Sequence, residues 1–424
     1  MARERLVELL RTRQFQALDA AIADLQRGFD ARKVPEWQVD LAYRAFQPYE
    51  WDIEAVLNEW VSRAPAAYQP YLARGLYYTQ RGWLERGDSW DDGDAVGEQL
   101  TAMRIAYESA IRDLQHALRL YPRLASAWAT LVSIAGALND RGELQHNLRA
   151  GLAAVPDSMG IRWAYAYALY YRDARRELDA FVKEMQRSAP KDHPSYRGIA
   201  TWLDNFEGYR LLREGEYHTA ALVFERALQH DDRTRLRAGR AAAYLEMGNL
   251  DAAEADLRAA LAQRPWEDDY LARLAGLLWE REKRDEVEAL LDRAIALAPM
   301  YPSHRLLRAY VRFELNRADE ALADLAVAEV YGRFDPRIHH LRGDILAERD
   351  PQAALRALAA ARRLSPDASA IQLSYASVLH QSGDCRAADA LVAYRRMCVE
   401  ARDCSPRAPL LWASIETTPC HAGR

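Results

Sequence analysis

Residues 241–265 read AAAYLEMGNLDAAEADLRAALAQRP, and this stretch decides the fold of the chain. Its marker residues are Gly248, Ala253, Leu257, Ala260 and Pro265. The glycine permits a tight turn, the alanines let two antiparallel helices approach closely, and the leucine fills the space between units. The proline stops the second helix because it lacks an amide hydrogen and clashes with the preceding turn. The stretch therefore predicts a helix–turn–helix unit.

The same unit recurs along the chain. Prolines close predicted helices at a regular spacing, and they are Pro122, Pro156, Pro190, Pro265 and Pro299. A helix–turn–helix period of about 34 residues is typical of the tetratricopeptide repeat, and residues 99–402 resemble that family. The resemblance implies an all-α fold, a right-handed superhelical solenoid of about eight or nine antiparallel helix pairs.

The N-terminal hundred residues are helical in pattern but do not follow this frame. Residues 71–78 read YLARGLYY and residues 83–87 read WLERG. Over about residues 5–135 the chain resembles the N-terminal region of bacterial repeat proteins that carry a domain of unknown function. We therefore predict three parts: a divergent helical region at 1–98, repeats at 99–402, and a cysteine- and proline-containing tail at 403–424.

Composition excludes some classes of function. The 424 residues carry 57 Lys and Arg against 62 Asp and Glu, so the net charge is −5 and no basic stripe indicates a nucleic acid partner. The longest uncharged run, Leu124–Asn139, is too short to span a membrane. The N-terminus has no apolar signal core. A cytoplasmic protein without a membrane segment is the resulting expectation.

Partner binding is the function that the repeat resemblance implies, since first helices line the concave groove in this family. Aromatic and arginine side chains there make good anchors for a protein or peptide. The candidates are Trp202, Asn205, Tyr209, Arg213, Arg237, Arg240 and Trp279. Two alternatives stay open: the aromatic rings pack between units, and the arginine face of Arg233, Arg237 and Arg240 is a solvated surface rather than a site for an acidic partner.

The four cysteines lie in the last forty residues, at Cys385, Cys398, Cys404 and Cys420. We expect Cys385 and Cys398 to be small buried residues of one helix. Cys398 with Cys404, or Cys404 with Cys420, could close a short loop in an oxidising compartment, whereas thiols are expected in the cytoplasm. Absence of a Cys-x-x-Cys motif argues against structural zinc. Cys420 and His421 leave open a thiol or metal centre.

Two further segments allow alternatives to a simple scaffold. The acidic loop at residues 88–94 has oxygen ligands without the register of a calcium loop. Leu410, Leu411 and Trp412 could cover the end of the repeats as a regulatory cap. Because the sequence lacks the motifs of common catalytic sites, the prediction is a non-catalytic scaffold without metal or cofactor.

Overall fold

The computed structural model describes residues 2–87, 97–188, 198–231, 233–401, 404–406 and 408–416. Within these ranges every regular element is a helix. The chain divides into two compact units, one formed by Met1–Arg86 with Gly97–Pro299 and the other containing Met300–Arg424. The predicted all-α class is confirmed. The acidic loop at 88–94 lies outside the described residues.

Four helices form the N-terminal region of the first unit. They are α1 (Ala2–Arg11), α2 (Phe15–Asp30), α3 (Glu36–Tyr43) and α4 (Ile53–Arg63). Their core is aromatic: Trp60 is fully buried and stacks on Phe15 at 5.9 Å between ring centroids. The indole nitrogen of Trp60 donates to the Asp19 carboxylate, so the polar part of this large ring is also satisfied.

Six helical hairpins follow in the same unit. Their helices are α5 (Tyr68–Arg86), α6 (Gly97–Leu120), α7 (Ala125–Ala137), α8 (Arg141–Ala154), α9 (Met159–Tyr171), α10 (Arg175–Ser188), α11 (Trp202–Arg213), α12 (Tyr217–Leu228), α13 (Thr234–Glu246), α14 (Leu250–Gln263), α15 (Asp268–Glu280) and α16 (Val287–Leu297). Because α5 pairs with α6, the predicted boundary at residue 98 falls inside a hairpin. Directly before α11, Ile199–Thr201 forms a 3-10 turn.

Proline positions predicted the ends of the second helices. Helix α6 ends at Leu120, two residues before Pro122, and α14 ends at Gln263, two residues before Pro265. Helices α8, α10 and α16 stop at the same distance from their prolines. This position suits proline because the residue before it is pushed out of the helical region.

In eight of the nine hairpins, all but α19–α20, the turn places one residue in the left-handed region of backbone space. Glycine fills this place at Gly215 and Gly248, where φ is 77° and 71°. Other hairpins use residues with a side chain, including Asn139 at 57° and Glu282 at 57°. Glutamate has no local hydrogen bond of the Asn type to favour this conformation, so Glu282 is a strained member of the set.

Small residues allow close packing within the hairpins. The ring of Phe224 on α12 is fully buried between Gly208 on α11 and Gly239 on α13. A methyl group at either glycine would collide with the ring, since the nearest ring atoms are 2.5 and 2.4 Å from the ideal Cβ positions. The pattern of small and large residues that predicted the repeat therefore corresponds to real contacts.

The second unit contains three more hairpins and a final helix. Its helices are α17 (Pro302–Glu314), α18 (Ala318–Gly332), α19 (Pro336–Leu346), α20 (Pro351–Leu364), α21 (Ser369–Gln381), α22 (Ala387–Ala401) and α23 (Ala408–Glu416). Counting both units, the described residues form nine hairpins after α4, in agreement with the eight or nine predicted.

Candidate functional site

A cavity of about 480 Å³ lies in the first unit. Its walls come from α3 and from the first helices α5, α7 and α9, with one residue from α13. The aromatic lining is Tyr43, Phe46, Trp83, Trp163 and Tyr167, and the polar lining includes Asp40, Thr79, Gln80, Ser126, Thr130, Ser133 and Arg235. A cavity of this size with apolar walls and a few polar groups is typical of ligand sites.

Helix α3 is held over one side of this cavity through Glu36. The Glu36 carboxylate accepts hydrogen bonds from the amides of Met159 and Gly160 at 2.8 and 3.1 Å, and from the Ser158 hydroxyl. These amides begin α9 and have no acceptor within that helix, and the positive end of the helix dipole favours a carboxylate there. A side chain on Gly160 would meet the carboxylate at 2.8 Å, so the glycine makes room for this contact.

Residues around α3 also reach a distant part of the same unit. Arg44 donates to Glu267 at 3.1 Å and to Asp268 at 3.5 Å. The Leu297 carbonyl, at the end of α16, accepts from Gln47 at 2.6 Å and from Arg3 at 2.7 Å. The N-terminal region therefore bridges the beginning of α9 and the end of α16.

A stacked pair of indoles strengthens this bridge. Trp37 lies parallel to Trp266, with 5.5 Å between ring centroids and 4° between planes. Trp37 is otherwise half exposed, and such a stack contributes about 1 kcal/mol beyond the area that it buries. The segment from α3 to Gln47, together with Arg3, is called the strap below.

Asp40 brings a carboxylate to the cavity from α3. Its described hydrogen bond comes from the Ser126 hydroxyl at 3.0 Å. Asp40 is exposed and lines the cavity, so a ligand in the cavity can reach its carboxylate. Desolvation and the neighbouring Glu36 raise the pKa of Asp40 to about 7, and the Ser126 hydrogen bond and Arg44 oppose this shift.

Arg235 brings a positive charge to the cavity from α13. Its guanidinium carbon lies 4.5 Å from the ring centroid of Trp163, a cation–π contact. The same indole packs edge-on against Trp202 at 4.8 Å and stacks on Phe206 at 5.2 Å. Trp163 is thus fixed in place by aromatic packing while one side of it faces the cavity.

The predicted anchors of the groove lie mostly between repeats. Trp202 and Asn205 are buried. The Tyr209 ring packs edge-on against Phe224 at 5.4 Å, and its hydroxyl donates to the Arg235 carbonyl. Arg213 lies over the Tyr170 ring at 4.8 Å. These contacts correspond to the alternative that such residues pack between units.

The arginine face is engaged within its own hairpin. Arg240 forms a bidentate pair with Asp256 at 2.7 and 2.9 Å, and Arg237 reaches the same carboxylate at 3.3 Å. Trp279 packs under Arg284, whose guanidinium carbon is 5.0 Å from the ring. Arg237 and Arg240 are therefore partly buried, and both bind a carboxylate of their own hairpin. The seven predicted anchors are absent from the described cavity lining.

The Arg–Asp set recurs two repeats further along the chain. Arg305, Arg308 and Asp324 stand two repeat lengths after Arg237, Arg240 and Asp256, and Arg308 is again bidentate to its aspartate. The repeat in between carries Leu271, Leu274 and Leu290 at the equivalent places, and all three are buried. The equal spacing of the two Arg–Asp sets in the sequence is a signal from which these ion pairs could have been predicted.

The C-terminal helix covers the last hairpin of the second unit. Ala408 and Ile415 of α23 are buried against α21 and α22, with Leu411 and Trp412 beside them. Leu410, predicted as a covering residue, is instead 76% exposed, because it lies on the opposite side of α23. The contact is reinforced by His380, whose ring nitrogen lies 2.8 Å from the Ser414 hydroxyl.

A disulfide joins Cys398 and Cys404 at the start of this covering segment, with 4.7 Å between Cα atoms. No cysteine within the described residues is free, in contrast to the thiols expected in the cytoplasm. Cys385 was predicted as a buried helix residue but is exposed in the turn before α22, because that helix begins at Ala387. Cys420 and His421 lie outside the described residues.

Two kinds of feature are absent from the part of the chain that the structure describes. It contains no group of three or more His, Cys, Asp or Glu side chains able to hold a metal ion. None of the described helices combines the length and hydropathy needed to cross a membrane.

Comparison with known proteins gives a partial family match. Residues 2–166 match the model of DUF4034, a domain of unknown function. No curated protein matches the sequence.

Solved structures similar to the chain include several tetratricopeptide proteins. A thermophilic repeat protein of Thermus thermophilus is 23% identical, with 42% of this chain and 99% of that chain covered and a TM-score of 0.38. PilF of Pseudomonas aeruginosa is 18% identical, with coverages of 51% and 98% and a TM-score of 0.44. A repeat protein of Parabacteroides merdae is 15% identical, with coverages of 59% and 96% and a TM-score of 0.44.

The family of folds follows from the nine hairpins, from the prolines that end their second helices, and from the N-terminal match. The chain is a tetratricopeptide-like helical-repeat protein, and its residues 2–166 match the model of a domain of unknown function.

Proposed function

We propose that this protein is a non-catalytic scaffold that binds a short segment of a partner protein in the cavity beneath α3. The observation that carries the proposal is the cavity itself, which has a volume of about 480 Å³ and is bounded by the first helices α5, α7 and α9. Rigid helices present its aromatic and polar side chains, so little ordering is needed when a partner binds.

The strap limits the kind of segment that fits. A long helix laid along the first helices would meet α3, which is anchored at Glu36 on one side and Arg44 on the other. A short extended segment, or a few side chains at a chain end, avoids this collision. Aromatic walls such as Trp83 and Trp163 are the usual anchors of such contacts.

A non-catalytic role is supported by the chemistry of the lining. Catalysis by a nucleophile or an acid–base pair needs two groups in hydrogen-bond reach, with the second tuned by the first. Among the described lining residues, Asp40 with its hydroxyl partner Ser126 is accompanied by no histidine, cysteine, lysine or second carboxylate that would complete such a site. The cavity is better suited to recognition than to reaction.

The test fills the cavity without touching the strap. Ser133 lines the cavity from α7, so Ser133→Trp should occupy the space where the partner segment lies. Short peptides selected from a displayed random library on the wild-type protein are then measured against this variant by isothermal titration. Affinity should fall at least tenfold.

The matched control places the same residue on an exposed helix position. Leu222 on α12 is 53% exposed, so Leu222→Trp adds an indole away from the cavity. Its peptide affinities should equal those of the wild type. If Ser133→Trp folds and binds the selected peptides as tightly as the control does, the cavity is not the binding site.

A second candidate role concerns α23, which we propose as a cap that covers the end of the repeats. Its support is the burial of Ala408 and Ile415 against α21 and α22, because the last unit of a solenoid has apolar surface to cover. Ile415→Asp should lower the melting temperature and raise binding of an apolar dye. Leu410→Asp is the control on the exposed side. Equal behaviour of the two variants would end the cap hypothesis.

A further inference from the structure

We propose that the cavity takes a positively charged group, the ammonium of a lysine or the guanidinium of an arginine, with Asp40 as its counter-ion. This inference rests on the proposed function, since it names the chemistry of the partner segment. It is carried by the charges and the aromatic rings around Asp40.

The Asp40 carboxylate lacks a committed cation. Its described hydrogen bond is to a neutral group, the Ser126 hydroxyl. Arg44 is the positive side chain near it on the same segment, and Arg44 is bound to Glu267 and Asp268. Glu36, also near, adds a second negative charge and is held by the amides of α9. The surroundings of Asp40 are therefore negative in balance.

Asp40 is exposed on the cavity side, so a cation that enters the cavity can reach its carboxylate and pair with it. The raised pKa of Asp40, about 7, reports the same imbalance. A bound ammonium or guanidinium would hold the carboxylate ionised and lower that pKa, so binding and deprotonation of Asp40 would favour each other.

The aromatic walls suit an organic cation. Trp83, Tyr43 and Tyr167 line the cavity together with Trp163, and the faces of such rings attract ammonium and guanidinium groups. Arg235 already uses Trp163 in this way at 4.5 Å. Arg235 is not among the groups that shift the pKa of Asp40, so this resident cation does not neutralise the carboxylate.

Two other ligand classes fit less well. A divalent metal ion needs several oxygen ligands, usually with more than one carboxylate, and Asp40 is the carboxylate among the described lining residues. An anion would be attracted to Arg235 but repelled by the ionised carboxylate of Asp40 at pH 8. A basic side chain uses both the charge and the rings.

The experiment measures charge preference with defined probes. Acetylated and amidated pentapeptides that differ at the central residue (Lys, Arg, Gln or Glu) are titrated at pH 8 against the wild-type protein, Asp40→Asn and Ser133→Trp. Asp40→Asn keeps the shape and an oxygen acceptor for Ser126, and Asp40→Glu keeps the charge. Asp251→Asn is the control for net charge, because Asp251 is 88% exposed and is not a lining residue of the cavity.

The expected result is preferential binding of the Lys and Arg peptides. Their affinity should fall at least tenfold in Asp40→Asn and in Ser133→Trp, stay within twofold in Asp251→Asn, and recover in part in Asp40→Glu. It should also fall as the pH is lowered from 8 to 6, because protonation removes the Asp40 charge.

Two results would overturn the inference, and they differ in what they leave standing. If Gln or Glu peptides bind as well as Lys peptides, and Ser133→Trp abolishes binding while Asp40→Asn does not, the charge assignment is wrong and the cavity remains the binding site. If Ser133→Trp binds every peptide as tightly as the wild-type protein does, both the inference and the proposed function fail.

Discussion

Replacing Asp256 with leucine while both of its arginines remain should destabilise the α13–α14 hairpin by about 3 kcal/mol. The Asp256 side chain is 5% exposed and binds Arg240 through two hydrogen bonds and Arg237 through one. Loss of the carboxylate leaves two guanidinium groups in a partly dry environment. Because they are 19% and 24% exposed, they reach some water, so the cost lies at the lower end of the range of about 3–5 kcal/mol for breaking a buried pair.

Removal of the whole set should behave differently. The neighbouring repeat places Leu271, Leu274 and Leu290 where this one has Arg237, Arg240 and Asp256. Those leucines are at most 7% exposed, so the backbone geometry accepts an apolar set. The triple change to leucine should therefore stay within about 1 kcal/mol of the wild type, since a buried ion pair and a well-packed apolar replacement are often equivalent in stability.

The assay must report local stability, because unfolding of a repeat array is not a single two-state step. Hydrogen exchange followed by mass spectrometry on fragments that cover α13 and α14 gives the opening free energy of this hairpin. The double variant Arg237→Leu/Arg240→Leu completes the cycle and should cost about as much as Asp256→Leu, because it leaves a buried carboxylate alone.

Additive costs would refute this reasoning. If the triple variant loses about as much stability as Asp256→Leu and the double variant together, the leucine set of the next repeat is not interchangeable with the ionic one. The choice between an ionic set and a leucine set in successive repeats would then depend on the packing of other residues around these positions.

Three further predictions concern the turn, the cavity and the C-terminal helix. Glu282→Gly should raise the thermal midpoint by an amount that corresponds to about 0.5–1 kcal/mol, because φ is 57° at this residue and glycine removes the side-chain strain; Gly248→Ala, at φ 71° in the equivalent turn, should lower it. Desolvation and the neighbouring Glu36 raise the pKa of Asp40 to about 7, so the folded protein holds this proton more tightly than the unfolded chain does. The stability that the bound proton contributes is complete below the unfolded pKa of about 4 and is lost as pH rises toward 7. The melting temperature of Asp40→Asn should consequently depend less on pH between 5 and 8 than that of the wild type, and identical pH profiles would contradict the assignment. Cys398→Ala/Cys404→Ser should lower the stability of α23 by about 2 kcal/mol, as expected for a short closed loop, with faster hydrogen exchange in that helix and unchanged exchange in α13 as the internal reference.

Local signals predicted the repeats well. Proline, glycine and alanine act within one hairpin, so Pro122 or Pro265 marks a helix end whatever the rest of the chain does. The close approach of Gly208 and Gly239 to Phe224 likewise involves residues on successive helices, so the local sequence pattern predicts it. The regular period of the repeat then assembles these hairpins in order.

The cavity could not be predicted in the same way. Asp40 and Trp163 are separated by more than a hundred residues, and no spacing rule relates the irregular N-terminal helices to the repeats. The predicted anchors Trp202 and Tyr209 carry a pattern that fits a groove and an interior equally well, because both are apolar faces of a helix. In the structure Trp202 packs against Trp163, and Tyr209 packs against Phe224.

The strap also affects how the chain folds during synthesis and how it responds to truncation. Arg3 and Gln47 bind the carbonyl of Leu297, which lies 294 and 250 residues further along the chain. On the ribosome the N-terminal helices emerge first but meet this acceptor only after the chain has grown past Leu297. A simple repeat array gains stability from adjacent units and tolerates truncation at its end. Here a loss of α16 would remove the acceptor that Arg3 and Gln47 bind, so a truncation at that end of the unit would also disturb its N-terminal helices.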